Sequence, residues 1–235
     1  MDSGLYNAAG AMHGGQRALD VVSHNLANLG THGYKRRNPG SQMFAALTDH
    51  GQAKAIGTNA SVDFSQGDLD RTGNPFHLAL EGDGFFAAES PDGEVYTRRG
   101  IYSFDENGVP VTPEGFPLAW EQRLVDIDPA GPTPVIDVEG QVTQGAIVNG
   151  RLKIAAFENP ERLRERPFGY WEPTIETPEA VPTARVRQGA LERSNSNGVT
   201  ELINLIETQR SFEVAGRTMR SIDQSYQRLT QSLGR

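Results

Sequence analysis

Cysteine is absent from this 235-residue chain, and with it go disulfides, zinc–thiolate sites and thiol nucleophiles. Long apolar runs are missing too: no stretch reaches the roughly 18 apolar residues that a helical membrane span needs. The first residues, Met-Asp-Ser-Gly-Leu-Tyr, lack the basic start and apolar core of a secretory signal, so no cleaved signal peptide is expected. Cations are in the minority, 22 Lys and Arg against 30 Asp and Glu for a net charge of −8, which argues against bulk nucleic-acid binding. Histidines stand at 13, 24, 32, 50 and 77 without a His-x-x-x-His pair. Neither a Gly-x-Ser-x-Gly elbow nor a Lys-bearing phosphate loop occurs. No metal, cofactor or small-molecule substrate is expected.

What is present divides the chain in three. Residues 1–37 carry four basic and two acidic groups and residues 185–235 eight basic and five acidic, whereas residues 38–184 carry ten basic and 23 acidic. The ends are slightly basic and the middle is acidic. With 26 Gly and 14 Pro, the composition suits short strands and tight turns better than helix throughout.

Both ends repeat every seven residues. Leu5, Met12, Leu19 and Leu26 share one heptad position, and Ala8, Gly15, Val22 and Leu29 the other. Near the C-terminus Leu205, Phe212, Met219, Tyr226 and Leu233 alternate with Thr208, Ala215, Ile222 and Leu229. Such a/d seams predict helices of coiled-coil type. Gly14-Gly15 interrupts the first, so either that helix kinks or something packs very close to it. Asn195-Ser196-Asn197 offers N-caps for the second.

Between the helices, Asp83-Gly84, Asp92-Gly93, Asn107-Gly108, Glu114-Gly115, Glu139-Gly140 and Asn149-Gly150 separate short strand-like runs. Asp-Gly and Asn-Gly favour hairpin turns, so the middle reads as a series of hairpins. The expected architecture is α+β: a helix over 1–34, an extended linker over 35–66, a mainly antiparallel β body over 67–185, and a helix over 186–235. The stretch from Trp171 to Pro182, with three prolines, reads as a connector.

Several patterns point elsewhere and fail on their own terms. Asp68-x-Asp70-x-Thr72-Gly73 opens like a calcium loop, but Ala79 stands where the twelfth position needs a bidentate Glu. Lys35-Arg36-Arg37 follows a helical run, but Gly30, Gly33 and Pro39 leave no room for a recognition helix. Glu81 and Asp83 flank Gly82; paired carboxylates can do acid–base work, although Asp and Gly also mark ordinary turns.

Three blocks carry a resemblance. The first is Asn25-Leu26-Ala27-Asn28, Thr31, Gly33-Tyr34-Lys35. The second runs from Gln66-Gly67-Asp68-Leu69 and Thr72-Gly73-Asn74-Pro75 through Gly82-Asp83-Gly84-Phe85-Phe86 to Tyr96-Thr97-Arg98 and Gly100. The third is Gly189-Ala190-Leu191-Glu192, Ser194-Asn195 and then Gln209-Arg210. In this order they resemble the signatures of flagellar rod, hook and hook-associated proteins, the proximal rod branch first and the distal rod branch second. Phe76-His77-Leu78 and Ser196-Asn197-Gly198 depart from that pattern. The resemblance implies a non-enzymatic subunit of a tube spanning the periplasm, with terminal helices inside and the β body outside. It also implies copies of itself and other rod or hook proteins as partners, and delivery through the flagellar type III export apparatus. A monomeric β-rich extracellular binding module, or a hydrolase using Glu81 and Asp83, are the other readings.

Overall fold

The structure, a computed structural model, describes residues 2–40, 42–48, 51–57, 60–174 and 179–233. It has an N-terminal helix, a mostly antiparallel β region and a C-terminal helix, and the chain divides into two compact units. Residues 1–28, 36–63 and 196–235 make one, the helical unit; residues 29–35 and 64–195 make the other, the body.

In the helical unit, α1 runs over Asp2–Ala27 and α2 over Gly198–Leu233. Between them in sequence lie β1 (Arg37–Pro39), β2 (Gln42–Thr48), β3 (Gly51–Gly57) and β4 (Ala60–Val62). β1 pairs with β4 and β2 with β3, both antiparallel, so the segment expected as linker carries two ladders. The helices pack antiparallel along their seven-residue stripes. Ala8 and Val22 are buried, and Met12, Leu19, Leu26, Leu205, Phe212, Met219 and Ile222 are half-buried. The side chains of Leu5, Tyr226, Leu229 and Leu233 lie outside the described part, and Leu29 falls beyond α1, half-buried in the body.

Gly14-Gly15 does not break α1. A Cβ placed on Gly15 would meet the Phe212 side chain at 3.3 Å, so the glycine lets a large ring approach the helix backbone. Burying such a ring is worth about 1.5–3 kcal/mol, which exceeds the helix-propensity cost of about 1 kcal/mol for one Gly. Close packing, not a kink, resolves the sequence ambiguity.

The body starts with β5 (Leu69–Arg71), β6 (Leu78–Glu81), β7 (Phe85–Ser90), β8 (Gly93–Thr97), β9 (Ser103–Phe104) and β10 (Pro110–Val111). It continues with β11 (Trp120–Arg123), β12 (Val135–Ile136), β13 (Gln141–Gln144), β14 (Ile147–Leu152) and β15 (Ile154–Phe157). Last come β16 (Arg164–Arg166), β17 (Tyr170–Glu172), β18 (Glu179–Ala180), β19 (Arg185–Gln188) and β20 (Ala190–Glu192). A six-stranded sheet has the order β16-β17-β8-β7-β15-β18 and a four-stranded sheet the order β11-β14-β13-β12. β19 pairs with β6 and β20 with β5. Leu80, Phe86, Val95, Leu152 and Val186 join one buried cluster with Tyr102 and Tyr170.

The hairpin reading holds at Asp92-Gly93 between β7 and β8, at Asn107-Gly108 between β9 and β10, and at Glu139-Gly140 between β12 and β13. Two positions differ. Asn149-Gly150 lies inside β14, where the register with β13 shifts and leaves Asn149 as a bulge; the β13–β14 turn uses Gly145 instead. A bulge and a turn both draw on glycine at positive φ, so dipeptide chemistry cannot separate them. At Asp83-Gly84, Gly82 is the residue with positive φ. Trp171, expected in a connector, is buried in β17 against Tyr96 of β8.

Two predictions follow from this packing. Gly15→Leu should force α1 and α2 apart at Phe212, costing about 1–3 kcal/mol of overpacking. Hydrogen exchange should show lost amide protection around residues 208–216 and none lost in β6–β8. In the body, Glu114 accepts from Tyr170 Oη and from Arg99 Nη1, each at 2.6 Å. Burial raises its pKa, but these hydrogen bonds outweigh it and hold the carboxyl below its ordinary 4.5. Its stabilisation is therefore present above about pH 4.5 and is lost as pH falls through the lower folded value. Glu114→Gln should flatten the stability of the body against pH in that acid window and leave the profile above pH 6 unchanged, as read by urea unfolding.

Candidate assembly site

The helical unit is held at one end by a buried carboxylate. Asn197 caps α2, its Oδ1 accepting from the amides of Val199 at 3.0 Å and Thr200 at 3.2 Å. That cap places Glu201 in the first turn, where the helix dipole favours a negative charge. Glu201 is completely buried. Its carboxylate accepts from Arg36 Nε at 2.5 Å and from Asn25 Nδ2 at 3.2 Å. Asn25, equally buried, also reads the main chain of Arg37 at two points, donating to its carbonyl at 2.7 Å and accepting from its amide at 2.9 Å. Asn28 closes α1, with Nδ2 donating to the His24 carbonyl at 2.8 Å.

The body has a second buried carboxylate, Glu192 at the end of β20, 1% exposed. Lys35 Nζ donates to its Oε1 at 2.7 Å, the Gly67 amide to the same oxygen at 3.0 Å, and Arg98 Nη1 to Oε2 at 3.3 Å. The remaining donors of Lys35 reach the carbonyls of Ser65 at 2.7 Å and Phe64 at 3.3 Å. Arg98 Nη2 donates to the Gly82 carbonyl at 2.8 Å, and its guanidinium lies 5.3 Å from the Phe85 ring centroid. Burial lowers the Arg98 pKa, against the upward pull of Glu192. The Gly33 amide donates to the Glu192 carbonyl at 2.8 Å. At Gly33, with φ +70°, a Cβ would fall 2.6 Å from the Arg98 main chain, so only glycine fits.

The signature residues of 29–35 and 64–195 thus converge within the body, while Asn25 to Asn28, Gln209 and Arg210 lie in the helical unit. Tyr34 follows a turn begun at Thr31. Phe86 and Leu191 are core, Thr97 Oγ1 donates to the Gly169 carbonyl at 3.1 Å, and Tyr96 Oη to Glu94 at 2.9 Å. The Gly100 carbonyl accepts from the Leu78 amide, and the Gly189 amide donates to His77. Gly84 is buried, Ser194 is half-buried, and Asn195 Nδ2 donates to the Ser65 carbonyl at 3.1 Å. Ala27, Gln209 and Arg210 are exposed on their helices. Glu201 and Phe64 escaped the sequence reading. A lone Glu four residues beyond a capping Asn was the available signal for the first. Phe64 contacts Phe85 and Trp171 edge-to-face and sits in no regular pattern.

Glu81 and Asp83 are both exposed, and Glu81 is paired with Arg187 at 2.6 Å. Among the described residues no three His, Asp or Glu side chains cluster as a metal site, and no helix is long and apolar enough to cross a membrane.

Along α2, pairing with α1 leaves a second apolar stripe in water: Val199, Leu202, Ile203 and Ile206 are each about half exposed or more. Their spacing of i, i+3, i+4, i+7 makes one continuous helical face.

Comparison with known proteins accounts for this arrangement. Residues 5–35 match the family described as flagella basal body rod protein, residues 79–144 the flagellar hook protein FlgE/F/G D1 domain, and residues 187–232 the flagellar basal body rod FlgEFG protein C-terminal region. The flagellar basal-body rod protein FlgG of Buchnera aphidicola from Schizaphis graminum is 32% identical, over 91% of this chain and 93% of its own. The rod protein FlgF of Caulobacter vibrioides is 32% identical over 93% of each chain, and FlgF of Mesorhizobium japonicum 31% identical over 100% of this chain and 99% of its own. The chain belongs to the flagellar basal-body rod protein family. In this rod protein the terminal matches cover the helices, and their inner edges contain Asn25, Lys35 and Glu192, the residues that do the buried pinning.

Removing Glu201 should therefore loosen the helix pair out of proportion to its size. Glu201→Ala removes the carboxylate that Arg36 and Asn25 share, at a cost of about 1–3 kcal/mol for a lost buried hydrogen-bonded charge. Hydrogen exchange across the first two turns of α2 should report it, with the body amides unchanged.

Proposed function

We propose that this chain is a structural subunit that polymerises through its terminal helices and transmits torque within the rod, without catalysis. The supporting observation is the exposed stripe Val199-Leu202-Ile203-Ile206. Of the heptad seams, also proposed as assembly surface, α1 against α2 buries Ala8 and Val22 and half-buries Met12, Leu19, Leu26, Leu205, Phe212, Met219 and Ile222. The second stripe is the surface left to neighbours in the lattice. Repetition of modest apolar contacts along a heterologous assembly gives stiffness without any single strong bond. The body then sets the spacing between subunits.

Its proposed place is the proximal rod, in the periplasm, after delivery by the type III export apparatus, with other rod and hook proteins above and below. The pattern Thr72-Gly73-Asn74-Pro75 followed by Glu81 to Phe86 supports that branch, as does size. The Buchnera FlgG comparison needs 248 positions to place 91% of this chain, whereas the Caulobacter FlgF comparison places 93% in 227.

Leu202→Glu/Ile206→Glu should leave the purified chain folded, by circular dichroism, yet abolish its incorporation into basal bodies and motility. Normal incorporation of that variant would refute assembly through this face. Electron microscopy of basal bodies carrying a tagged copy should place the label at the membrane-proximal end of the rod; a label next to the hook would assign it to the distal part.

A further inference from the structure

We propose that Glu192 is a folding latch: the body stays open until the chain near residue 192 arrives, and closes in one step when it does. The reason is electrostatic. Lys35 and Arg98 are almost fully buried, at 3% and 4% exposure, and Glu192 is the carboxylate that bonds both. The three residues are far apart in sequence, 157 positions between Lys35 and Glu192 and 94 between Arg98 and Glu192. A body closed without Glu192 would hold two cations out of water without the carboxylate that bonds both, which is disfavoured.

Strand pairing adds to the same dependence. β20 supplies the partner of β5, and β19 that of β6, so residues 185–192 cover strands laid down more than 100 positions earlier. Val186 and Leu191, 1% and 2% exposed, complete the apolar packing. The segment 29–35 waits as well, because the Gly33 amide and the Lys35 ammonium both bond Glu192. Before β19 and β20 arrive, the body therefore lacks the Glu192 carboxylate, the strand partners of β5 and β6, and part of its core. Long-range closure of this kind is late and cooperative. This role rests on the export route proposed above, which would take the chain unfolded: the latch prevents premature folding of the body before β19 and β20 arrive.

The test uses the full-length chain refolding from urea with pulsed hydrogen exchange. Amides of β6, β8 and β20 are expected to gain protection in the same kinetic phase. Stable protection of β6–β8 in a phase preceding β20 would overturn the proposal. Glu192→Gln keeps the shape and removes the charge. It should slow refolding by about tenfold or more, equivalent to about 1.4 kcal/mol at the barrier, while Glu139→Gln at the exposed pair with Arg151 changes it less than about twofold. Refolding of Glu192→Gln at the wild-type rate would refute the electrostatic part. Should Glu192→Gln fail to fold at all, the order of protection in the unmodified chain decides: joint protection of β6, β8 and β20 supports the latch and earlier protection of β6–β8 overturns it.

Discussion

A carboxylate taken out of water constrains its surroundings more strictly than an apolar contact does. Leu can be exchanged for Met at small cost, but a buried Glu needs cations and amides at particular points. Glu192 imposes that demand on the body. Lys35, Arg98 and the Gly67 amide meet it from three separate stretches of chain, and the backbone around them follows. Gly33 has to be glycine because the segment carrying Lys35 runs against the Arg98 main chain. Phe85 lies beneath the guanidinium, and the Gly82 carbonyl accepts its second nitrogen. Gly33, Lys35, Gly67, Gly82, Phe85 and Arg98 of the family signature make this one carboxylate tolerable.

The helical unit answers a similar demand with fewer parts. Glu201 is satisfied by Arg36 and Asn25, and Asn25 uses its other capacity to hold the main chain of Arg37. Beyond that pin, α1 and α2 rely on graded apolar contact, closest where Phe212 meets Gly15. Two helices cannot bury their apolar faces completely against each other, because each presents a cylinder to one partner. Most seam residues are therefore half-buried, and α2 keeps Val199, Leu202, Ile203 and Ile206 in water. A pair of this kind is locally specific at one end and still has surface to offer to a lattice.

The two buried carboxylates also show why charge counting along the chain misleads. The ends are slightly basic in aggregate, yet Lys35 and Arg36 are each consumed by an internal acid. Their positive charge is not a surface property. The acidic excess of the middle segment lies largely on exposed side chains such as Glu81, Asp92 and Glu139, which pair with arginines at the surface. Those pairs contribute little individually.

Periodicity in the sequence determined both helices and the α+β class, because a seven-residue apolar repeat and a run of Asp-Gly and Asn-Gly pairs act through neighbouring residues. The same locality explains the order of the three signature blocks and the hairpins at Gly93, Gly108 and Gly140. Only the tertiary structure decided that Gly15 receives Phe212, that Asn149 is a bulge, that residues 37–62 form ladders, and that Glu192 and Glu201 are buried acceptors. Phe212 at Gly15 and the partners of Glu192 and Glu201 lie more than ninety residues away, and even the bulge and the ladders depend on which strand pairs with which. A side chain's burial is set by what packs against it, and no local pattern encodes that.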